Sequence, residues 1–146
     1  MSAITYRTAA AADGPGMGVT HIAAYWEDES WRLIWSHKTQ EYVSAQSSKR
    51  YSKNLLTDRE HRRVEVAIDE GTGKLVGYAR WSLPDSLVSE WLEAQVPGVS
   101  KEDEDRYAAS HASADWKYRS ELDVLDVEVS EVLSRLQSKH KYMGES

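Results

Sequence analysis

With 146 residues, a mean hydropathy of −0.64 and a formal net charge of −6, the chain is sized for a single core and is not drawn to nucleic acid or an anionic membrane. The absence of cysteine excludes disulfides, thiolate catalysis and zinc–thiolate sites. No stretch approaches the roughly 20 apolar residues of a membrane helix, and residues 1–7 do not read as a secretory leader, so a cytoplasmic protein is expected.

Ile4, Tyr6 and Thr8 alternate with Thr5 and Arg7, which predicts a short half-buried strand. Asp13 offers a helix cap and Pro15 suits a first turn, while Met17, Thr20, Ile22, Ala24 and Tyr25 supply an apolar surface. Gly14, Gly16 and Gly18 weaken that turn, so the helix is expected to start late. Ser30 then caps a short helix over 31–35, and a longer amphipathic helix follows over 38–56, with Tyr42, Val43 and Gln46 toward one side. Val64, Val66 and Ile68 alternate with Arg63, Glu65 and Ala67. A loop over 70–73 and a second extended run complete a hairpin with strands at 62–69 and 74–82.

Helical spacing resumes over 86–96, with Leu87, Trp91 and Leu92 on one side, until Pro97-Gly98 breaks it. Ser100 and Asp103 form an approximate capping box for a helix reaching Tyr118. A last helical stretch carries Val129, Val132, Leu133 and Leu136. Trp91 and Trp116 are expected to be buried where these helices cover the sheet. The pattern is α+β: one domain over 1–146, with a small, mainly antiparallel sheet of three strands covered by several helices.

Several motifs dissolve on inspection. Gly14-Pro15-Gly16-Met17-Gly18 lacks the glycine a dinucleotide fingerprint needs at position 19, where Val stands, and reads as loop geometry. Gly71-Thr72-Gly73-Lys74 has Ile68 and Leu75 where a phosphate loop needs Gly and Ser or Thr, and reads as a hairpin turn. His21, His37, His61, His111 and His140 show no metal-ligand spacing, so no metal is expected. The acidic run 102–105 is a solvated helix start. With 6 Trp, 8 Tyr and no Phe, the aromatic surface carries polar tips suited to pocket walls as well as to a core.

The opening strand ending in Tyr6-Arg7-Thr8-Ala9, the helix with Thr20-His21-Ile22-Ala23-Ala24-Tyr25, the run Trp31-Arg32-Leu33-Ile34-Trp35 and the hairpin with Leu75-Val76-Gly77-Tyr78-Ala79-Arg80-Trp81 resemble the front half of GNAT-type N-acetyltransferases. Residues 86–140 resemble a helical insertion found in fungal members of that superfamily. The resemblance implies a partial GNAT-like fold and transfer of acetyl from acetyl-CoA, as cosubstrate, to a small-molecule amine or other acyl acceptor. It implies an acceptor wall of Trp26, Asp28, Trp31, Trp35, Tyr78 and Trp81, and offers Glu65 as a candidate general base.

The family holds acetyl-CoA with a fourth strand and a Gln/Arg-x-x-Gly-x-Gly/Ala turn at a helix start, whose amides face the pyrophosphate. Residues 141–143 look like the approach to that strand, and no such turn follows, so a truncated domain with weak or absent cofactor binding and turnover is expected. No cofactor-binding residue is identified. The alternative is a non-catalytic ligand-binding module, or one that dimerises through an open sheet edge. A small α+β isomerase or cyclase ranks third.

Overall fold

The computed structural model describes residues 2–139 and the backbone of 144–145. Strand β1 (Ile4–Thr8) pairs antiparallel with β2 (Arg62–Asp69), and β2 with β3 (Leu75–Ser82). Between β1 and β2 run α1 (Gly14–Tyr25), α2 (Glu29–Ile34), α3 (Gln40–Ser48) and α4 (Tyr51–Leu56). After β3 come two 3₁₀ turns, Asp85–Leu87 and Leu92–Ala94, then α5 (Lys101–Ala112), a 3₁₀ segment Ser120–Asp126 and α6 (Val127–Lys139). Gly144–Glu145 form a two-residue strand, β4, antiparallel to the end of β3. The fold is α+β, built on an antiparallel sheet of three full strands. The expected approach to a fourth strand at 141–143 lies outside the described residues.

The hairpin forms as the alternation predicts, and Asp69 organises its turn. Its amide donates to the Lys74 carbonyl (2.9 Å), its carbonyl accepts from the Gly73 amide (2.7 Å), and its carboxylate accepts from the Gly71 amide (2.9 Å). Gly73 sits at φ +69°, a conformation that costs glycine nothing. Val64 and Val66 alternate toward the helices and are buried with Met17, Tyr51 and Leu55 in the main core. A second cluster gathers Ile22, Trp35 and Val43, with Trp26, Trp31, Trp116 and Tyr118 packed against it.

Several expectations are corrected. The helix α1 starts at Gly14 rather than late, because Gly14 and Gly18 are contact positions and not loop residues. A Cβ on Gly18 would lie 2.7 Å from the Ser48 amide nitrogen and 2.9 Å from the Ser47 carbonyl carbon, and one on Gly14 would run into Ser52. The bare face of α1 thus lets two neighbouring helices approach its backbone. The helix expected over 38–56 is two helices, α3 capped by Thr39 and α4 restarting after a turn at Lys49 and Arg50. The break keeps Ser47 and Ser52 both against α1.

Asp13 does not cap α1. Its carboxylate takes both Arg7 guanidinium nitrogens, at 2.7 and 2.8 Å, and the Ala10 amide. The cap of α2 is Asp28, which accepts from the Trp31 amide at 2.9 Å, rather than Ser30. Ser100 caps α5 as expected, accepting from the Asp103 amide. Strand β1 is not half-buried: Ile4 and Tyr6 are exposed, Tyr6 to 72%.

The region after β3 departs furthest from the periodicity. Residues 86–96 form no α-helix, only short 3₁₀ turns, because the Arg63 guanidinium, fully buried, draws in the carbonyls of Val88, Glu90 and Trp91 that an α-helix would spend on its own amides. Arg63 also donates to the Arg59, Glu60 and Arg62 carbonyls, so its charge is met by main-chain oxygen all round. Trp91 sits at φ +50° and stacks edge-on against Trp81, half-buried rather than on a helix face.

The helix α5 stops at Ala112, short of Tyr118. The following segment turns back so that Trp116 meets Trp35 edge-on at 4.7 Å and the Arg119 amide reaches the Ile34 carbonyl. Trp116 is half-buried, with the Arg50 guanidinium over its ring. Neither α5 nor α6 buries a residue, so these helices do not cover the sheet, and Val129, Val132, Leu133 and Leu136 stay exposed.

Candidate functional site

Helical spacing on α1 and strand alternation on β3 meet in a cleft of about 480 Å³. From α1, His21 and Tyr25 stand one turn apart, with ring centroids 4.5 Å apart. From β3, Val76, Tyr78 and Arg80 share one face. The Thr20 hydroxyl donates to the Leu75 carbonyl and fixes the two elements to each other.

His21 Nδ1 lies 2.7 Å from the Tyr78 hydroxyl, which lies 3.0 Å from the Tyr51 hydroxyl. Burial first, and the Arg80 charge second, lower the His21 pKa to about 4, so the imidazole is neutral at physiological pH. With the proton on Nε2, Nδ1 accepts from Tyr78, which then accepts from Tyr51. Burial, reinforced by the hydrogen bond to Tyr78, pushes the Tyr51 phenol above its ordinary range. His21 and Tyr51 are therefore both neutral. Among the described residues lining the cleft, Arg80 carries the positive charge, its guanidinium 5.9 Å from the Tyr51 ring centre and 5.8 Å from that of Tyr78.

The expected acceptor wall divides. Tyr78 lines the cleft. Trp31 stands beside it, touching His21 and Tyr25 by its ring, and with Asp28 lines an adjoining groove of about 410 Å³. Trp35 is buried in the second core cluster and Trp26 packs on it, so neither is a wall residue. Trp81, an odd number of residues from Tyr78, lies on the other face of the sheet against Trp91. Glu65 alternates with Val64 and Val66, which face the helices, so the candidate base points away from the cleft.

His21, Tyr25, Tyr51 and Arg80 were not singled out as site residues by the sequence reading. The signal available was the i, i+4 pair His21 and Tyr25, and the i, i+2 pair Tyr78 and Arg80. It needs knowledge of which helix lies over which strand.

Four of the glycines do not form a loop open to the pyrophosphate of acetyl-CoA. Gly14 and Gly18 are inside α1 and covered by α4 and α3, while the Gly71 and Gly73 amides are spent on Asp69. Among the described residues no group of three His, Asp or Glu side chains gathers as metal ligands would, and no helix is long and apolar enough to cross a membrane. No family model, no curated protein and no solved structure matches the chain.

Proposed function

We propose that the chain is a GNAT-related domain that supplies the acceptor side of an acetyl transfer, with the cleft between α1 and β3 as its acceptor site, and that by itself it transfers acetyl at close to background rate. The observation that carries this reading is the position of Tyr78. It comes from the Val76-Gly77-Tyr78-Ala79 segment on which the resemblance rests, and its hydroxyl ends in a cleft against a neutral imidazole. The order of a strand, helices, an antiparallel hairpin and a helical segment before β4 also agrees with that resemblance.

Within the cleft, the neutral His21 imidazole and the Tyr78 hydroxyl bonded to it supply polar groups to orient an acceptor, beside the Tyr25 ring. What a transferase further needs, preorganised donors for the pyrophosphate and for the developing oxyanion, is not supplied by Gly14, Gly18, Gly71 or Gly73.

A second reading, a ligand-binding module without chemistry, is favoured by those spent glycine amides and uses the same cleft. A cone-shaped isomerase or cyclase would require a larger curved sheet than three full strands provide.

Calorimetric titration of acetyl-CoA into the purified chain, together with a free-thiol release assay, tests the proposal. Weak or undetectable binding and background thiol release are expected. Binding at about the micromolar level would overturn the assignment of the glycines as packing residues.

A further inference from the structure

Arg80 differs from the other arginines that meet charge or carbonyl partners. Arg7, Arg106 and Arg119 have carboxylates, and Arg63 has main-chain carbonyls, whereas no carboxylate reaches Arg80 among the described residues. Its Nε is buried with no hydrogen-bond partner, and its guanidinium is flanked by the Tyr51 and Tyr78 rings. Arg80 is part-buried and has no carboxylate partner, and a guanidinium so placed favours an anion with planar, paired acceptors. The other walls of the cleft are flat: the rings of His21 and Tyr25 lie against each other, with Trp31 beyond them. The volume suits one small molecule. An alkylammonium group in the same space would meet the like charge of Arg80 at short range.

We propose that this cleft binds a small planar aromatic carboxylate, its acid group on Arg80 and its ring against His21 and Tyr25. The inference deepens the acceptor-site reading and rests on it for the role of the ligand. If acetyl transfer occurs, the acceptor is an aromatic amine bearing an acid, uncharged at nitrogen and so in no need of a strong base. The Lys or Arg side chain of a protein substrate is the class that Arg80 rejects.

The test is run without acetyl-CoA, so that its failure is distinct from a failure of the transfer reading. Para-aminobenzoate, its neutral analogue para-aminobenzamide, and inorganic phosphate are each titrated into the intact chain by calorimetry. The same titrations are made with Arg80→Met and Arg80→Lys, whose folding is checked by thermal denaturation. The acid is expected to bind at least about tenfold more tightly than the amide, Arg80→Met to abolish that preference, and Arg80→Lys to keep part of it. Equal binding of acid and amide, a preference that survives Arg80→Met, or no saturable binding of the acid would overturn the proposal. Phosphate binding as tightly as the aromatic acid would overturn the aromatic part of it. Should Arg80→Met fail to fold, the acid-to-amide ratio in the unaltered chain and in Arg80→Lys still decides.

Discussion

His21 is held at a pKa of about 4 by burial and then by Arg80, whereas His61 is raised by hydrogen bonds to Asp58 first and Asp85 second. The two rings therefore affect stability over different ranges of pH and with opposite sign. For His21 the unfolded chain takes up a proton first, so stability falls as pH drops from about 6.5 toward 4. For His61 the folded chain holds the proton more tightly, so its contribution is present below about 6.5 and is lost as pH rises through the raised folded value. Urea denaturation across this range should show His21→Gln flattening the acid-side loss and His61→Gln removing the gain below about 6.5. Unchanged pH profiles in both variants would contradict the assigned surroundings. Sequence names five histidines and distinguishes none of them, because the His21 shift comes first from burial in the packed fold and then from Arg80, 59 positions away, while for His61 the nearby Asp58 is joined by Asp85, 24 positions away.

At the level of elements, the three glycines of α1 look alike in sequence and are not alike in packing. A Cβ on Gly16 would meet Leu75 at 3.5 Å, an ordinary contact, while one on Gly18 would press on the α3 backbone at 2.7 Å. Gly16→Ala should be neutral or stabilise by up to about 1 kcal/mol through helix propensity. Gly18→Ala should destabilise by about 1–3 kcal/mol, since helix backbone cannot step aside as a side chain can. Thermal denaturation of the two variants measures the difference, and equal midpoints would show that α1 and α3 do not touch here. The helix expected over 38–56 was misjudged for the same reason. Its apolar spacing is continuous enough to suggest one helix, and the break comes from the need of both halves to reach α1. The hairpin was legible because alternation, the Gly73 turn and Asp69 are all local.

For the molecule as a whole, Arg63 ties the sheet to the segment that covers its second face. Its guanidinium reaches the Val88, Glu90 and Trp91 carbonyls at 2.8–2.9 Å. Arg63→Met keeps the stem and strands those carbonyls, so a loss of about 3 kcal/mol or more is expected in urea denaturation. The near-ultraviolet circular dichroism of the Trp81–Trp91 pair should weaken with it, as Trp91 loses its anchor. A loss under about 1 kcal/mol would mean that the segment holds its place without Arg63. From sequence, Arg63 is one of several charged residues on a strand face, and the ordinary expectation is that it faces water.

Sequence by itself determined the α+β class, the hairpin with its turn, the Ser100 cap and the presence of a helix after β1, since each depends on neighbours within a few residues. It also brought Tyr78 and Trp31 to notice. Tertiary structure decided which side of the sheet each residue serves. It took Trp81 and Glu65 away from the cleft, put Trp35 into the core, and set both His21 and Arg80 beside Tyr78. It also left the apolar stripe of α6 in solvent, although its periodicity reads as a buried face. The physical reason is the same throughout. Periodicity says that a face is apolar or polar, and only the packing of distant elements says what that face meets.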